Sequence, residues 1–214
     1  MLVLAFDTAT PAVTVAVCDG PRVLAEWSTI DARRHGELLA PGIERVLAEA
    51  AVRPMDLAAI AVGVGPGPYT SLRVGVVTAR TLGAVLGVPV HGVCTLDAIA
   101  LDAVTLEPGL ADVTFLVATD ARRREVYWAR YAAGTRVDGP AVDRPADLRW
   151  TGAVVGYGAT LHPGHLPVPR GPEHARAAAV AAYVVAGRRT LDAVPLYLRR
   201  PDATPSSGPR RVLA

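Results

Sequence analysis

The chain has no lysine: all 22 of its basic residues are arginine. A catalytic lysine, a Schiff base and a P-loop lysine are therefore excluded. Cysteine is almost as scarce, with only Cys18 and Cys94, each inside an apolar, strand-like stretch. That context predicts buried free thiols rather than a disulfide framework. Although 51% of residues are apolar, no run reaches 18, so no segment is expected to span a membrane. Met1 leads straight into LVLAFDT without a basic region or a small-residue cleavage site, which predicts a cytoplasmic protein. One-sided charge is missing too, the formal net charge being +2. The arginines nevertheless cluster, at Arg33-Arg34, Arg122 to Arg124, Arg188-Arg189, Arg199-Arg200 and Arg210-Arg211. Solvated surface with local ion pairs is one reading of them, contact with RNA phosphates the other.

At 214 residues the chain can form one large domain or two small lobes. It opens with three strand-like stretches, Leu2 to Phe6, Val13 to Asp19 and Arg22 to Thr29, with a hairpin turn at Asp19-Gly20. HGELLAPGIERVLAEAAV then reads as an amphipathic helix, with Leu39, Ile43, Val46, Leu47 and Ala50 on one face. Pro41 is tolerable only near its start. A strand around Val88 to Val93 precedes a helix from Thr95 to about Val104. After Glu107-Pro-Gly the opening theme returns: Val113 to Asp120 again carries a strand into an Asp-led turn, followed by strands at Glu125 to Tyr131 and Thr135 to Val142. Val154 to Tyr157 reads as a further strand and Glu173 to Arg188 as a helix. Pro195 to Ala203 is a short last element. Hairpins followed by strand–helix crossovers predict an α/β layer with a mixed sheet.

The organising stretch is IAVGVGPGPYTSLRVGVVTARTLGAVLG, Ile60 to Gly87. A buried strand leads into a stiff Gly-Pro-Gly-Pro turn, which Thr70 or Ser71 is expected to cap. A helix follows from Leu72 to Leu86, interrupted only by Arg73, Thr78, Arg80 and Thr81. A helix apolar nearly all round needs cover nearly all round. Gly75, Ala79 and Gly83, at i, i+4 and i+8, form a stripe that lets another backbone come close. It packs either on the chain's own sheet or against a partner. The partner reading selects Leu72, Gly75, Val76, Ala79, Arg80 and Gly83 as interface residues.

GPGPYTSLRVGVVTARTLG, Gly65 to Gly83, closely resembles the GPGxFTGLRxGxxxAxGLA signature of the TsaB (YeaZ) family of bacterial tRNA threonylcarbamoyladenosine biosynthesis. Tyr69, Ser71, Arg80 and Thr81 depart from it. LAFDTAT, RRHGELLAP, ATDARRREVYWARY and PLYLRRPDA agree with the family in order. The resemblance implies a duplicated actin-like ATPase and sugar-kinase (ribonuclease H-like) fold. Its two lobes would carry mixed sheets: an N-terminal, partner-binding lobe over 1–106 and a reduced C-terminal lobe over 107–204, with a mobile tail over 205–214. It also implies a non-catalytic scaffold that binds a TsaD-like catalytic subunit, joined by a TsaE-like ATPase. That assembly transfers a threonylcarbamoyl group from its adenylate to adenosine 37 of ANN-decoding tRNAs. By the same resemblance the chain alone forms a homodimer, meets tRNA only through the complex and carries no cofactor.

The residues supply their own test of catalysis. An active actin-like enzyme would use Asp7 and Asp120 around a metal–nucleotide. Asp7 is followed by Thr-Ala-Thr and Asp120 by Ala-Arg-Arg-Arg, without the glycine that lets backbone amides approach a phosphate. Both aspartates are read as structural turn residues; an autonomous ATPase or kinase is the alternative, and an RNA-binding module a third. His35 stands at a helix start, but Leu39 occupies the position where TsaD has its second metal-binding histidine. His35 is thus expected to be a helix-start or surface residue. His162 and His165 are separated by Pro163-Gly164, which predicts a loop. No nucleophile–base pair or zinc set can be assembled.

Overall fold

A computed structural model describes residues 1–199. The repeated hairpin-then-crossover pattern produces two mixed sheets. In the first, β1 (Leu2–Asp7), β2 (Ala12–Asp19) and β3 (Arg22–Ile30) run antiparallel, and β4 (Ala59–Gly63) and β5 (Val90–Val93) extend β1 in parallel, giving the order β3-β2-β1-β4-β5. Three helices serve this half: α1 (His35–Glu49), α2 (Tyr69–Leu86) and α3 (Thr95–Leu106). The second sheet repeats the scheme with β6 (Thr114–Asp120), β7 (Val126–Ala132) and β8 (Thr135–Asp143). A short α4 (Pro145–Leu148) leads to a parallel β9 (Ala153–Val155), giving the order β8-β7-β6-β9. α5 (Tyr157–Leu161) and α6 (Ala177–Val185) complete the described chain.

Strand alternation sorts the core into layers. Leu4, Phe6, Val15, Val17, Ile60 and Val62 face α1 and α2, against Leu39, Ile43, Val46 and Val76. Their neighbours Val3, Ala5, Ala16, Cys18 and Ala61 face the other way, into a core shared with α3, α6 and the inner face of the second sheet. Small side chains on β1 and β2 let α6, made almost wholly of alanine and valine, lie close. α6 thus comes from the second half of the chain yet rests on the first sheet. The outer face of the second sheet has a thinner cover: Leu116, Ala118, Val126 and Val154 meet α5 and the half-buried Trp128 and Trp150.

Four local expectations shift. Helix α1 runs through Pro41 in its second turn rather than keeping it at the start. Helix α2 begins at Tyr69 behind Pro68, and no side chain caps it; Ser71 Oγ donates back to the Pro68 carbonyl at 3.2 Å. Helix α6 starts at Ala177, because Arg176 is extended and the Glu173 carbonyl is taken by the Tyr157 amide at 2.9 Å. Within the last element read from sequence, the Leu196 amide donates to the Val64 carbonyl at 2.7 Å. Its remainder from residue 200, and the tail over 205–214, lie outside the described residues.

Candidate functional site

Asp7, at the end of β1, is fully buried. Its Oδ1 accepts the Ala9 amide at 2.7 Å and its Oδ2 the Thr95 hydroxyl at 2.6 Å. Thr95 Oγ1 in turn accepts the Gly65 amide at 3.2 Å. Gly63 lies so close that a Cβ there would collide with the carboxylate. Burial pushes the Asp7 pKa above its ordinary value, against the pull of the Thr95 and Ala9 bonds. Both oxygens are occupied, and the group ties β1 to the start of α3.

Thr8 does for α2 what Asp7 does for α3. Its hydroxyl donates to the Ser71 carbonyl at 2.7 Å and accepts the Gly75 amide at 3.1 Å. Those two groups bond each other in a regular helix turn, so the Thr8 hydroxyl sits inside the ladder. Only a residue without Cβ admits it: a Cβ on Gly75 would lie 2.6 Å from Thr8 Oγ1. Gly83 is pressed in the same way against Val90 and the Val88 carbonyl.

The small-residue stripe therefore faces inward. Leu72, Gly75, Val76, Ala79 and Gly83 are buried by the chain's own sheet. This corrects their selection as interface residues; of the six, Arg80 alone is exposed. The open flank of α2 consists instead of Thr70, Arg73, Val77, Arg80, Thr81, Ala84 and Val85, with Val77 59% and Val85 75% exposed.

Asp120, the counterpart of Asp7, is held differently. Its Oδ1 accepts the Arg122 amide at 2.7 Å, and the Arg122 guanidinium lies 3.4 Å from Oδ2. Arg122, Arg123 and Arg124 all take positive φ, at 61°, 55° and 61°, a conformation that costs a non-glycine residue about 1 kcal/mol or more. All three are exposed.

Between the two aspartate turns lies a cavity of about 220 Å³. Ala9, Thr10 and Pro11 form one wall, Thr119, Asp120 and Arg122 another. The first residues of α1 (His35, Gly36) and of α2 (Tyr69, Thr70, Ser71) also reach it, as do Arg33, Tyr157 and His174. His35 is buried rather than superficial, its Nε2 2.8 Å from the Thr10 carbonyl. Thr119 Oγ1 and His174 Nδ1 are buried without a hydrogen-bond partner. Burial lowers the His174 pKa, against the nearby Glu173 charge, so its ring is neutral at pH 7. Thr8 and Thr95 escape a reading of the sequence because their partners are distant in the chain, and Thr119 and His174 because only the fold brings them to one cavity.

Both thiols are free and buried, and burial pushes Cys94 up to about 12. Beside it Asp97 accepts the Tyr131 hydroxyl at 2.7 Å, with Arg136 3.6 Å away. Among the described residues no group of three or more His, Cys, Asp or Glu is placed to hold a metal, and no helix is long and apolar enough to cross a membrane.

The family model for TsaD, the tRNA N6-adenosine threonylcarbamoyltransferase, matches residues 27–183. An uncharacterised protein of Mycobacterium tuberculosis is 47% identical over 206 residues, covering 95% of this chain and 94% of its own length. The Bacillus subtilis tRNA threonylcarbamoyladenosine biosynthesis protein TsaB is 34% identical over 131 residues, which span 61% of this chain and 55% of that relative. YeaZ from Pseudomonas aeruginosa superposes with a TM-score of 0.75 at 27% identity, over 92% of this chain and 99% of that one. The chain belongs to the TsaB (YeaZ) family. Its fold is the duplicated actin-like and sugar-kinase one, shared at a TM-score of 0.50 and 16% identity with a glucomannokinase of Arthrobacter, over 86% of this chain and 98% of that one. The TsaB signature thus marks a helix whose glycines serve the chain's own sheet.

Proposed function

We propose that this chain is a non-catalytic subunit in tRNA threonylcarbamoyladenosine biosynthesis that docks on a TsaD-like threonylcarbamoyltransferase through the open flank of α2. A TsaE-like ATPase joins the assembly, tRNA is met through the complex, and the same flank holds the chain as a homodimer when the partner is absent. The reaction, performed by the partner, moves threonylcarbamoyl from its adenylate to adenosine 37.

The observation that carries this reading is the flank itself: Val77, Ala84 and Val85 lie exposed along one side of an 18-residue helix, bordered by Arg73 and Arg80. A complementary surface would bring apolar groups to the valines and acceptors to the arginines. An autonomous ATPase would need Asp7 open to a metal–nucleotide, and both its oxygens are engaged inside the protein. Mg-ATP added to the isolated chain is accordingly expected to be left intact; sustained hydrolysis would favour the enzyme reading.

The deciding experiment is co-purification of the TsaD-like partner with wild type and Val85→Arg. Val85 is 75% exposed, so the melting temperature should stay put while the complex is lost. Full recovery of the complex with Val85→Arg would refute docking on this flank. Gly75→Leu is unsuitable for the purpose, since it would disturb the Thr8 insertion first.

A further inference from the structure

We propose that the recess between the start of α3, the β7–β8 hairpin and the chain after α6 binds a small phosphate monoester through Arg136, Arg188 and Arg189. It shares no lining residue with the cavity between the aspartate turns or with the α2 flank, and it does not rest on the partner reading.

The floor of the recess is closed by buried polar groups that satisfy one another. Asp97, only 8% exposed, accepts the Tyr131 hydroxyl at 2.7 Å on Oδ1 and the Tyr183 hydroxyl at 3.4 Å on Oδ2. Arg136 Nε lies 3.6 Å from the same carboxylate, and its Nη1 donates to the buried Cys94 sulfur at 3.6 Å. One buried acid thus fixes one arginine at the wall, and two phenols and a guanidinium screen that acid from an incoming anion.

The Arg188-Arg189 pair is left over. Arg188 is positioned without being neutralised: it donates to the Gly134 carbonyl at 3.3 Å, and its guanidinium lies 5.6 Å from the Tyr183 ring centroid. A carbonyl and a ring face orient a cation but supply no counter-charge. Arg189 is exposed and has no ion-pair partner among the described residues. Asp97 is the sole carboxylate of the lining, so two guanidinium charges go unmatched in a concave space. By contrast, Arg34, Arg45, Arg53 and Arg170 each hold a carboxylate of their own. Local ion pairing explains those arginines and leaves this pair unexplained.

Charge and volume narrow the occupant. A phosphate monoester carries a charge of about −1.5 to −2 at pH 7 and presents three acceptor oxygens on one centre. Guanidiniums arriving from β8 and from the chain after α6 can share such a group, with forked donors suited to its oxygens. A monocarboxylate would answer only one of the two charges. The recess holds about 310 Å³, at the lower end of the roughly 300–1,000 Å³ usual for small-molecule sites. That leaves room for the phosphate and a short organic body. Leu191, 40% exposed, and Thr135 offer that body one apolar and one hydroxyl contact.

The test is calorimetric titration of the full chain, at low salt, with glycerol phosphate, succinate and a single-stranded RNA oligonucleotide. Arg189→Gln changes an exposed, unpaired side chain and is expected to fold as wild type does; Arg188→Gln removes the positioned guanidinium. Arg33→Gln, at the cavity between the aspartate turns, is the control for binding there. One glycerol phosphate per chain is expected, with a Kd of order 1 mM or tighter. Either recess change should weaken it about fivefold or more, and Arg33→Gln less than about twofold. No heat up to about 10 mM, or succinate binding as tightly as glycerol phosphate, would overturn the assignment. So would unchanged affinity in both recess variants, which would mean an adventitious ion only or, if Arg33→Gln alone weakens binding, the other cavity. RNA binding more than about tenfold tighter than glycerol phosphate, and lost with the same two changes, would replace the small ester with a nucleic-acid backbone.

Discussion

The two aspartate turns occupy matching places in the two halves of the chain, and they have opposite characters. Asp7 is sealed in, bonded on both oxygens, and flanked by Thr8, which enters the ladder of α2. Asp120 leads into three exposed arginines at positive φ, beside a cavity that contains an unpaired hydroxyl. Asp7 has become a structural tie between strand and helices, whereas Asp120 stands at the wall of an open space that both turns border. The difference follows from what each strand leads to. β1 runs under α2 and beside the start of α3, with Gly63 and Gly75 clearing room for its last side chains. β6 ends at the cleft, with the short α5 packed against it.

The largest expected effect tests the sealed turn. Gly75→Leu must expel Thr8 or tilt α2, and should destabilise the chain by about 3–5 kcal/mol in urea unfolding, combining overpacking with lost buried bonds. A loss below about 1 kcal/mol would mean that the Thr8 insertion contributes little. Thr95→Val comes next: it leaves Asp7 Oδ2 and the Gly65 amide unpaired, for about 1–3 kcal/mol by the same measurement.

The Asp7 contribution has a signature in pH. Its folded pKa is raised above the ordinary 3.8 by burial. Above 3.8 the folded state therefore holds this proton longer than the unfolded state, and stability falls as pH rises through the folded value. The stability difference between wild type and Asp7→Asn should move against wild type from about pH 4 upward and then level off. A difference independent of pH between 4 and 7 would contradict the sealed-carboxylate picture. The exposed turn should respond weakly and with the opposite sign. Arg124→Gly relieves a positive φ and is expected to raise stability by about 0.5 kcal/mol, visible as a small upward shift in melting temperature.

Much of this architecture could be read in advance. The strand-like stretches at β1, β2, β6 and β7 gave the strands, and the repeated strand-into-aspartate theme gave the duplication. The apolar face of α1 and the family signature on α2 also read correctly. The direction of the glycine stripe stayed open between the chain's own sheet and a partner. A small-residue row says only that something comes close, and Gly75 and Gly83 carry no mark telling Thr8 and Val90 from another molecule. The cavity was equally hidden: Thr119 reads as one more strand residue and His174 as part of a helix that in fact begins three residues later.

By itself, then, the order of residues determined the local elements, because periodicity and turn chemistry act between near neighbours along the chain. It also ruled out lysine chemistry outright. Only the tertiary structure decided which flank of α2 is spent on the chain's own sheet, which aspartate is sealed and which residues meet in one cavity. Those outcomes depend on contacts across 63 residues for Thr8 with Ser71 and 88 for Asp7 with Thr95. Such distances are closed by packing, and no local pattern records them.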